Sequence, residues 1–249
     1  MTFIFSPLLF AQDDTVILKY NGYLFTSIYD TANFCSSFEI TKKGNLVFQD
    51  SCNDRIYSIK AYNLKGNNNK QIVVEYYTGG AHCCTYTSIG EFKNNNFKFT
   101  DTIYWGNAGY EIKDLDGDGV MEFLGGSDMF AYAFTNYSET RFPIEIFRYE
   151  NGKLKIVNDE FPDIIEAEIK DFKKDVQEFV KAGYECPKSD TEDTFNTDAG
   201  SLKTMLAPIV ADYHSLGDVQ EGYDYINKMY KCIDKAKFIK ILKTDFKLK

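Results

Sequence analysis

The chain has 249 residues, enough for one large domain or a domain with a smaller appendage, and 44% hydrophobic with 16% aromatic residues excludes an intrinsically disordered polymer. Its formal net charge of −9 sets a repulsive field before any nucleic-acid backbone and excludes non-specific nucleic-acid binding; cations are the natural partners. The longest wholly apolar run falls far short of the roughly 20 residues of a spanning helix, so no membrane span is predicted.

Residues 1–11 carry an apolar run from Phe3 to Phe10 that closes on the small residue Ala11, before Gln12. This reads as a shortened signal peptide, without the usual positive start and cleaved after Ala11; the alternative is a first core strand. Export, periplasmic or extracellular, is the expected location. The six cysteines agree with it, because an oxidising compartment lets thiols pair. Among about 15 possible connectivities for six cysteines, the expected pairs are Cys35 with Cys52, across a short loop between neighbouring strands, and Cys186 with Cys232, tying a loop to the end of a helix.

From Val16 to Val157, short aromatic and β-branched runs alternate with turn residues, the pattern of strands. The expected strands are Val16–Tyr20, Ser37–Thr41, Asn45–Gln49, Arg55–Ala61, Gln71–Tyr77, Cys84–Phe92, Phe97–Trp105, Met129–Phe134, Pro143–Tyr149 and Lys153–Val157. Lys43-Gly44-Asn45, Gly66 to Asn69, Asn94 to Asn96 and Asn151-Gly152 tolerate left-handed backbone and close hairpins. The sheets should therefore be mostly antiparallel.

Within this region lies Tyr76-Tyr-Thr-Gly-Gly-Ala-His-Cys-Cys-Thr-Tyr86, a glycine turn carrying His82, Cys83 and Cys84. Three readings stay open: a vicinal disulfide forming a rigid plate, reduced thiols joining His82 on Cu(I) or Zn²⁺, or cysteines that pair elsewhere or simply pack. The Gly-Gly-Ala-His-Cys-Cys stretch is similar to segments of uncharacterised exported bacterial proteins, which implies a shared fold and no particular activity.

The most specific feature is Lys113-Asp-Leu-Asp-Gly-Asp-Gly-Val-Met-Glu-Phe123. The carboxylates of Asp114, Asp116, Asp118 and Glu122, with the backbone carbonyl of Val120, can wrap hard oxygens around Ca²⁺, and Gly119 permits the sharp turn. An EF-hand would place a bidentate Glu where Gly125 stands, and the flanks Tyr110–Lys113 and Met121–Leu124 read as strands rather than helices. The Asp-x-Asp-x-Asp-Gly pattern followed by an acidic residue resembles the calcium loops of FG-GAP and VCBS-type repeats. That resemblance implies a metal-stapled β-hairpin and, more remotely, a propeller; Glu122 stands where Asp is usual, and one loop is present where a full propeller shows several.

Near Phe161-Pro162-Asp163 the apolar spacing changes from two to about three and a half, and Ile165, Ile169, Phe172, Val176 and Val180 share one face of a helix that stops before Gly183. Residues 187–196 read as an exposed loop. Helices are expected over Leu202–Ser215, Val219–Cys232 and Lys235–Phe246. The segment Tyr213 to Tyr230, with Gly217-Asp218 at its turn and small Gly222, resembles the helix–turn–helix of a tetratricopeptide repeat, which implies a helical hairpin; fewer than one repeat is present, so no array is implied. The lysines interleaved with Phe238, Ile241, Leu242 and Phe246 fit an ordinary amphipathic helix.

The expected fold class is α+β: a mostly antiparallel β domain over residues 15–157, propeller-like or built of stacked hairpins, followed by a helical region over residues 160–249. No nucleophile elbow, phosphate-cradling loop or dinucleotide fingerprint is present, and two histidines leave little for acid–base work. No catalytic or organic-cofactor residues are assigned. The expected function is an exported, calcium-stabilised, non-catalytic binding or cell-envelope protein, with an envelope, glycan or protein ligand; the alternative is a secreted glycan- or peptidoglycan-acting hydrolase with a structural calcium site.

Overall fold

The structure, a computed structural model, describes residues 14–67, 69–80 and 84–249. The segment read as a signal peptide lies outside the described residues, as do His82 and Cys83. The strands are β1 (Thr15–Tyr20), β2 (Tyr23–Asp30), β3 (Cys35–Lys42), β4 (Asn45–Asn53), β5 (Arg55–Tyr62), β6 (Gln71–Tyr77), β7 (Thr85–Lys93), β8 (Asn96–Gly106), β9 (Tyr110–Lys113), β10 (Glu122–Gly126), β11 (Ile144–Glu150) and β12 (Lys153–Ile156). The helices α1 (Pro162–Ala182), α2 (Asp198–Ser215), α3 (Val219–Met229) and α4 (Lys235–Thr244) follow. The α+β, mostly antiparallel architecture is as expected: three four-stranded sheets in the orders β1-β2-β3-β4, β5-β6-β7-β8 and β12-β11-β10-β9, then the helices. No closed propeller forms among the described residues; in each sheet every strand lies beside the one that follows it in the chain.

By contacts the chain divides into two compact units, one reaching to Asn63 and including Asn68–Tyr104, the other comprising Leu64–Asn67 and Trp105–Lys249. In the first, hairpins close on pairs of left-handed residues: Asn21 and Gly22 (φ 51° and 78°), Lys43 and Gly44 (51° and 82°), Asn94 and Asn95 (53° and 63°). Two successive positive φ values match the right-handed twist of the flanking strands, which is why Asn and Gly stand there. Phe25, Phe38, Ile40 and Ile72 are wholly buried, and Phe97 meets Phe38 and Phe48 edge-on at 6.2 and 5.1 Å between centroids. Each such ring pair contributes about 0.5–1.5 kcal/mol beyond its burial.

In the second unit, one core joins Ile146 of β11 to Ile165 and Val176 of α1, Leu202, Leu206 and Ile209 of α2, Ile226 of α3 and Phe238 and Leu242 of α4. Helix α1 starts on Pro162 and ends at Gly183 (φ 90°). The Thr197 hydroxyl of the α2 N-cap accepts from Gly200 N at 3.3 Å. The α2–α3 hairpin turns on Gly217 (φ 85°) and closes where a Cβ on Gly222 would lie 2.8 Å from Val210 Cα. Gly222→Ala should therefore cost about 1–3 kcal/mol by overpacking; a urea midpoint unchanged from wild type would show that the helices part without penalty.

Three expectations need correction. Met129–Phe134 is not a strand: a 3-10 turn covers Asp128–Phe130, and Phe130 and Phe134, four residues apart, both enter the helical core. Strand β2 was not expected, although Asn21-Gly22 announces its hairpin. Cys35 and Cys52 are free thiols rather than a disulfide. A bulge sets Ser51 and Cys52 opposite Ser37, since Ser36 pairs with Asn53 and Phe38 with Asp50, and Cys52 takes φ 62°. The two thiols interact without joining, and the hydrogen bond to Cys52, then burial, pushes the Cys35 thiol up to about 11. Cys186 and Cys232 are bridged as expected, with Cα atoms 5.2 Å apart.

Candidate metal centre

The aspartate loop connects β9 to β10, with Glu122 paired to Lys113 across the hairpin. Its backbone folds onto its own carboxylates. Asp114 Oδ1 accepts from Gly117 N at 2.7 Å and Oδ2 from Gly119 N at 2.9 Å; Asp116 Oδ1 accepts from Asp118 N at 3.2 Å, and Asp118 Oδ1 from Val120 N at 2.7 Å. Gly117 and Gly119, at φ 80° and 84°, permit this tight coil. Inward N–H donors fix the carboxylates while leaving each oxygen further lone pairs for a cation.

Side-chain oxygens of Asp114, Asp116 and Glu122 come within 4.8 Å of one another, so this group could hold a metal ion. Glu122 is buried, Asp114 half-buried and Asp116 exposed. Asp118 stays outside the group, its carboxylate turned to Val120 N. An all-oxygen donor set with an exposed face suits a hard cation that keeps some water.

Sequence reasoning missed Arg148. Phe123 pairs with Phe147 between β10 and β11, so Arg148 stands one step further along, beside Glu122. Its Nε donates to Glu122 Oε1 at 3.1 Å, an Nη approaches Asp116 Oδ2 at 3.6 Å, and Nη1 pairs with Glu160. Desolvation raises the Glu122 carboxyl above its ordinary range, against the lowering donors Leu115 N and Arg148. The partner lies 26 residues away on a different strand, and only strand register could have revealed it.

A second acidic pair lies on facing helices. Asp212 of α2 is 1% exposed and no N–H or hydroxyl group donates to its oxygens; its partner is the carboxyl of Glu168 of α1, which also accepts from Ile144 N at 2.8 Å. Two carboxyls can bond only through a proton that one of them keeps. Burial first, then the charge of Glu168, pushes Asp212 up to about 9, and burial pushes Glu168 up to about 7.

Of the His-Cys-Cys segment, Cys84 is described and is disulfide-bonded, which removes its thiolate from any copper or zinc ligand set. The disulfides fit an oxidising compartment. No helix among the described residues is long and apolar enough to cross a membrane.

No known protein-family profile matches the chain. It is 27% identical over 158 residues to a probable thylakoid lumen protein of Synechocystis sp., a match taking in 62% of this chain and 42% of that protein. It is 31% identical over 84 residues to an uncharacterised protein of Sinorhizobium fredii, taking in 34% of this chain and 13% of that protein. The chain spans less than half the length of either relative, and its similarity is to a protein named for a lumen and to one without an assigned role.

Proposed function

We propose that this is an exported, non-catalytic binding protein whose second unit is stiffened by Ca²⁺ in the β9–β10 loop. The observation that carries the reading is the convergence of Asp114, Asp116 and Glu122 oxygens within 4.8 Å on a loop whose N–H groups hold the carboxylates in place. The ligand set is completed by Asp118, after a small side-chain rotation, and by the Val120 carbonyl. Six or more oxygens at flexible geometry favour Ca²⁺ over Mg²⁺, which demands a tighter octahedron. Export is supported by the disulfides and by similarity to a protein named for a lumen. A loop that spends its acidic groups on one ion has little left for substrate, so the calcium is structural.

Thermal unfolding in excess Ca²⁺, in Mg²⁺ and in chelator tests this directly. At a hundredfold excess over Kd, Ca²⁺ should add about 2.7 kcal/mol of stability, Mg²⁺ much less, and Asp116→Ala should lose the response. Identical midpoints in Ca²⁺ and chelator would overturn the metal reading.

A further inference from the structure

Residues 228–249 reverse the charge of the chain. They hold eight lysines against two acids, Asp234 and Asp245, in a protein of net charge −9. Asp234 is buried and engaged by Lys203, which leaves Asp245 as the only exposed side-chain carboxylate of the stretch. Helix α4 sorts its own residues by face: Phe238 and Leu242 are wholly buried, while Lys237, Lys240 and Lys243, spaced by three, are exposed on the opposite side. Exposed lysines elsewhere find acids, as Lys113 finds Glu111 and Lys155 finds Glu150. Among the described residues none of these eight reaches a carboxylate. Lys243 lies over the Tyr223 ring at 4.6 Å and Lys231 donates to Asn227 O at 2.9 Å, neutral partners that leave both charges uncompensated.

Like charges three or four apart on a helix destabilise it, and an anionic surface laid against them removes that cost. Two features choose the surface. All eight cations are lysine, whereas protein interfaces are depleted in lysine and favour the rigid fork of arginine. Ile233, flanked in the chain by Lys231 and Lys235, is 64% exposed, an apolar group standing in water. Flexible ammonium groups beside an exposed apolar side chain suit a bilayer surface, whose headgroup charge is diffuse and whose acyl boundary accepts the apolar group. We propose that the α4 face docks on a bilayer surface carrying anionic headgroups, with Lys237, Lys240 and Lys243 at the headgroups and Ile233 at the acyl boundary. The net negative charge does not forbid this. At physiological salt charges are screened beyond about 8 Å, so the lysines nearest the surface set the attraction and the acids elsewhere select which face approaches. This goes beyond the binding reading above and does not rest on the calcium loop.

The test is co-sedimentation of the full chain, in chelator, with vesicles of phosphatidylcholine alone and of phosphatidylcholine mixed with an equal part of phosphatidylglycerol. The chain should bind the mixed vesicles at about 0.1 M salt, leave them at about 1 M, where the Debye length has fallen from about 10 to about 3 Å, and ignore the neutral vesicles. A lysine at such a surface is worth about fivefold in partitioning, so replacing Lys237, Lys240 and Lys243 together by Gln should weaken binding about a hundredfold. Gln at Lys60, Lys93 and Lys98, exposed lysines of the first unit, changes the net charge equally and should leave binding unchanged. Ile233→Ser should weaken binding without altering its salt dependence. Binding to neither vesicle, equal binding to both, equal losses from the two lysine sets, or full binding by Ile233→Ser would overturn the proposal. So would capture by soluble polyglutamate with none by vesicles, which assigns the face to an acidic protein.

Discussion

Replacing Lys203 with Met should lower the unfolding free energy by about 3–5 kcal/mol, because it strands a buried carboxylate. Lys203 is 5% exposed and Asp234 is 2% exposed. The ammonium donates to Asp234 Oδ2 and to Thr194 Oγ1, the latter at 2.8 Å, and lies 5.7 and 5.8 Å from the ring centres of Tyr230 and Phe238. Asp234 Oδ1 accepts from Tyr230 OH at 2.8 Å. With Lys203 gone, that phenol is the only one of these side chains still serving a charge held away from water. Lys203→Met with Asp234→Leu should recover most of the loss, since removing both charges also removes their desolvation cost. Urea unfolding of the two variants decides it: a single variant within about 0.5 kcal/mol of wild type, the range of an ordinary surface substitution, would mean that solvent reaches the pair.

The second large effect is a stability that falls as pH rises. In the unfolded chain Asp212 and Glu168 lose their protons near the ordinary carboxyl values of about 4. In the folded chain burial holds them up to about 9 and about 7, helped by the charge of Glu168 on Asp212 and of Asp171 on Glu168. Between these limits the folded state binds more protons than the unfolded state, so the slope of unfolding free energy against pH is negative, up to about 1.4 kcal/mol per pH unit per proton. The contribution is full below about pH 4 and is lost as pH passes through 7 to 9, the reverse of a salt-bridged carboxylate. Asp212→Asn keeps the shape and deletes the raised titration. Its melting temperature should exceed that of wild type at pH 8–9 and approach it near pH 5. Parallel melting curves for the two proteins across this range would show that the pair does not share a proton.

How much of this could be read beforehand follows from the range of each interaction. Hairpins were legible where Lys43-Gly44, Asn94-Asn95 and Asn151-Gly152 fix left-handed backbone locally, and the same signal at Asn21-Gly22 would have supplied β2. The face of α1 was legible because Ile165, Ile169, Phe172 and Val176 recur at helical spacing. Met129–Phe134 misled because aromatic alternation over six residues fits a strand or a turn that drops Phe130 and Phe134 into one core. The loop carboxylates were legible because their spacing alone sets the coil. Arg148, 26 residues from Glu122, and Asp212, 44 residues from Glu168, depend on register and helix packing, which no local pattern encodes. Their one trace is an acid on an apolar face: Glu168 lies between Ile165 and Ile169, and Asp212 ends a run from Leu206 that is otherwise apolar.

Arg148 also sets the order in which the loop can mature. Its guanidinium, fixed by strand pairing between Glu122, Asp116 and Glu160, is a counter-ion on a tether, present at an effective concentration that no dissolved ion needs to match. The β9–β10 hairpin can therefore close around its acids during folding without a metal, leaving the face where Asp116 is exposed as the way in for an ion. On the calcium reading proposed above, the ion is a late rivet on a joint already shut, and chelation should soften the assembled protein without unravelling it.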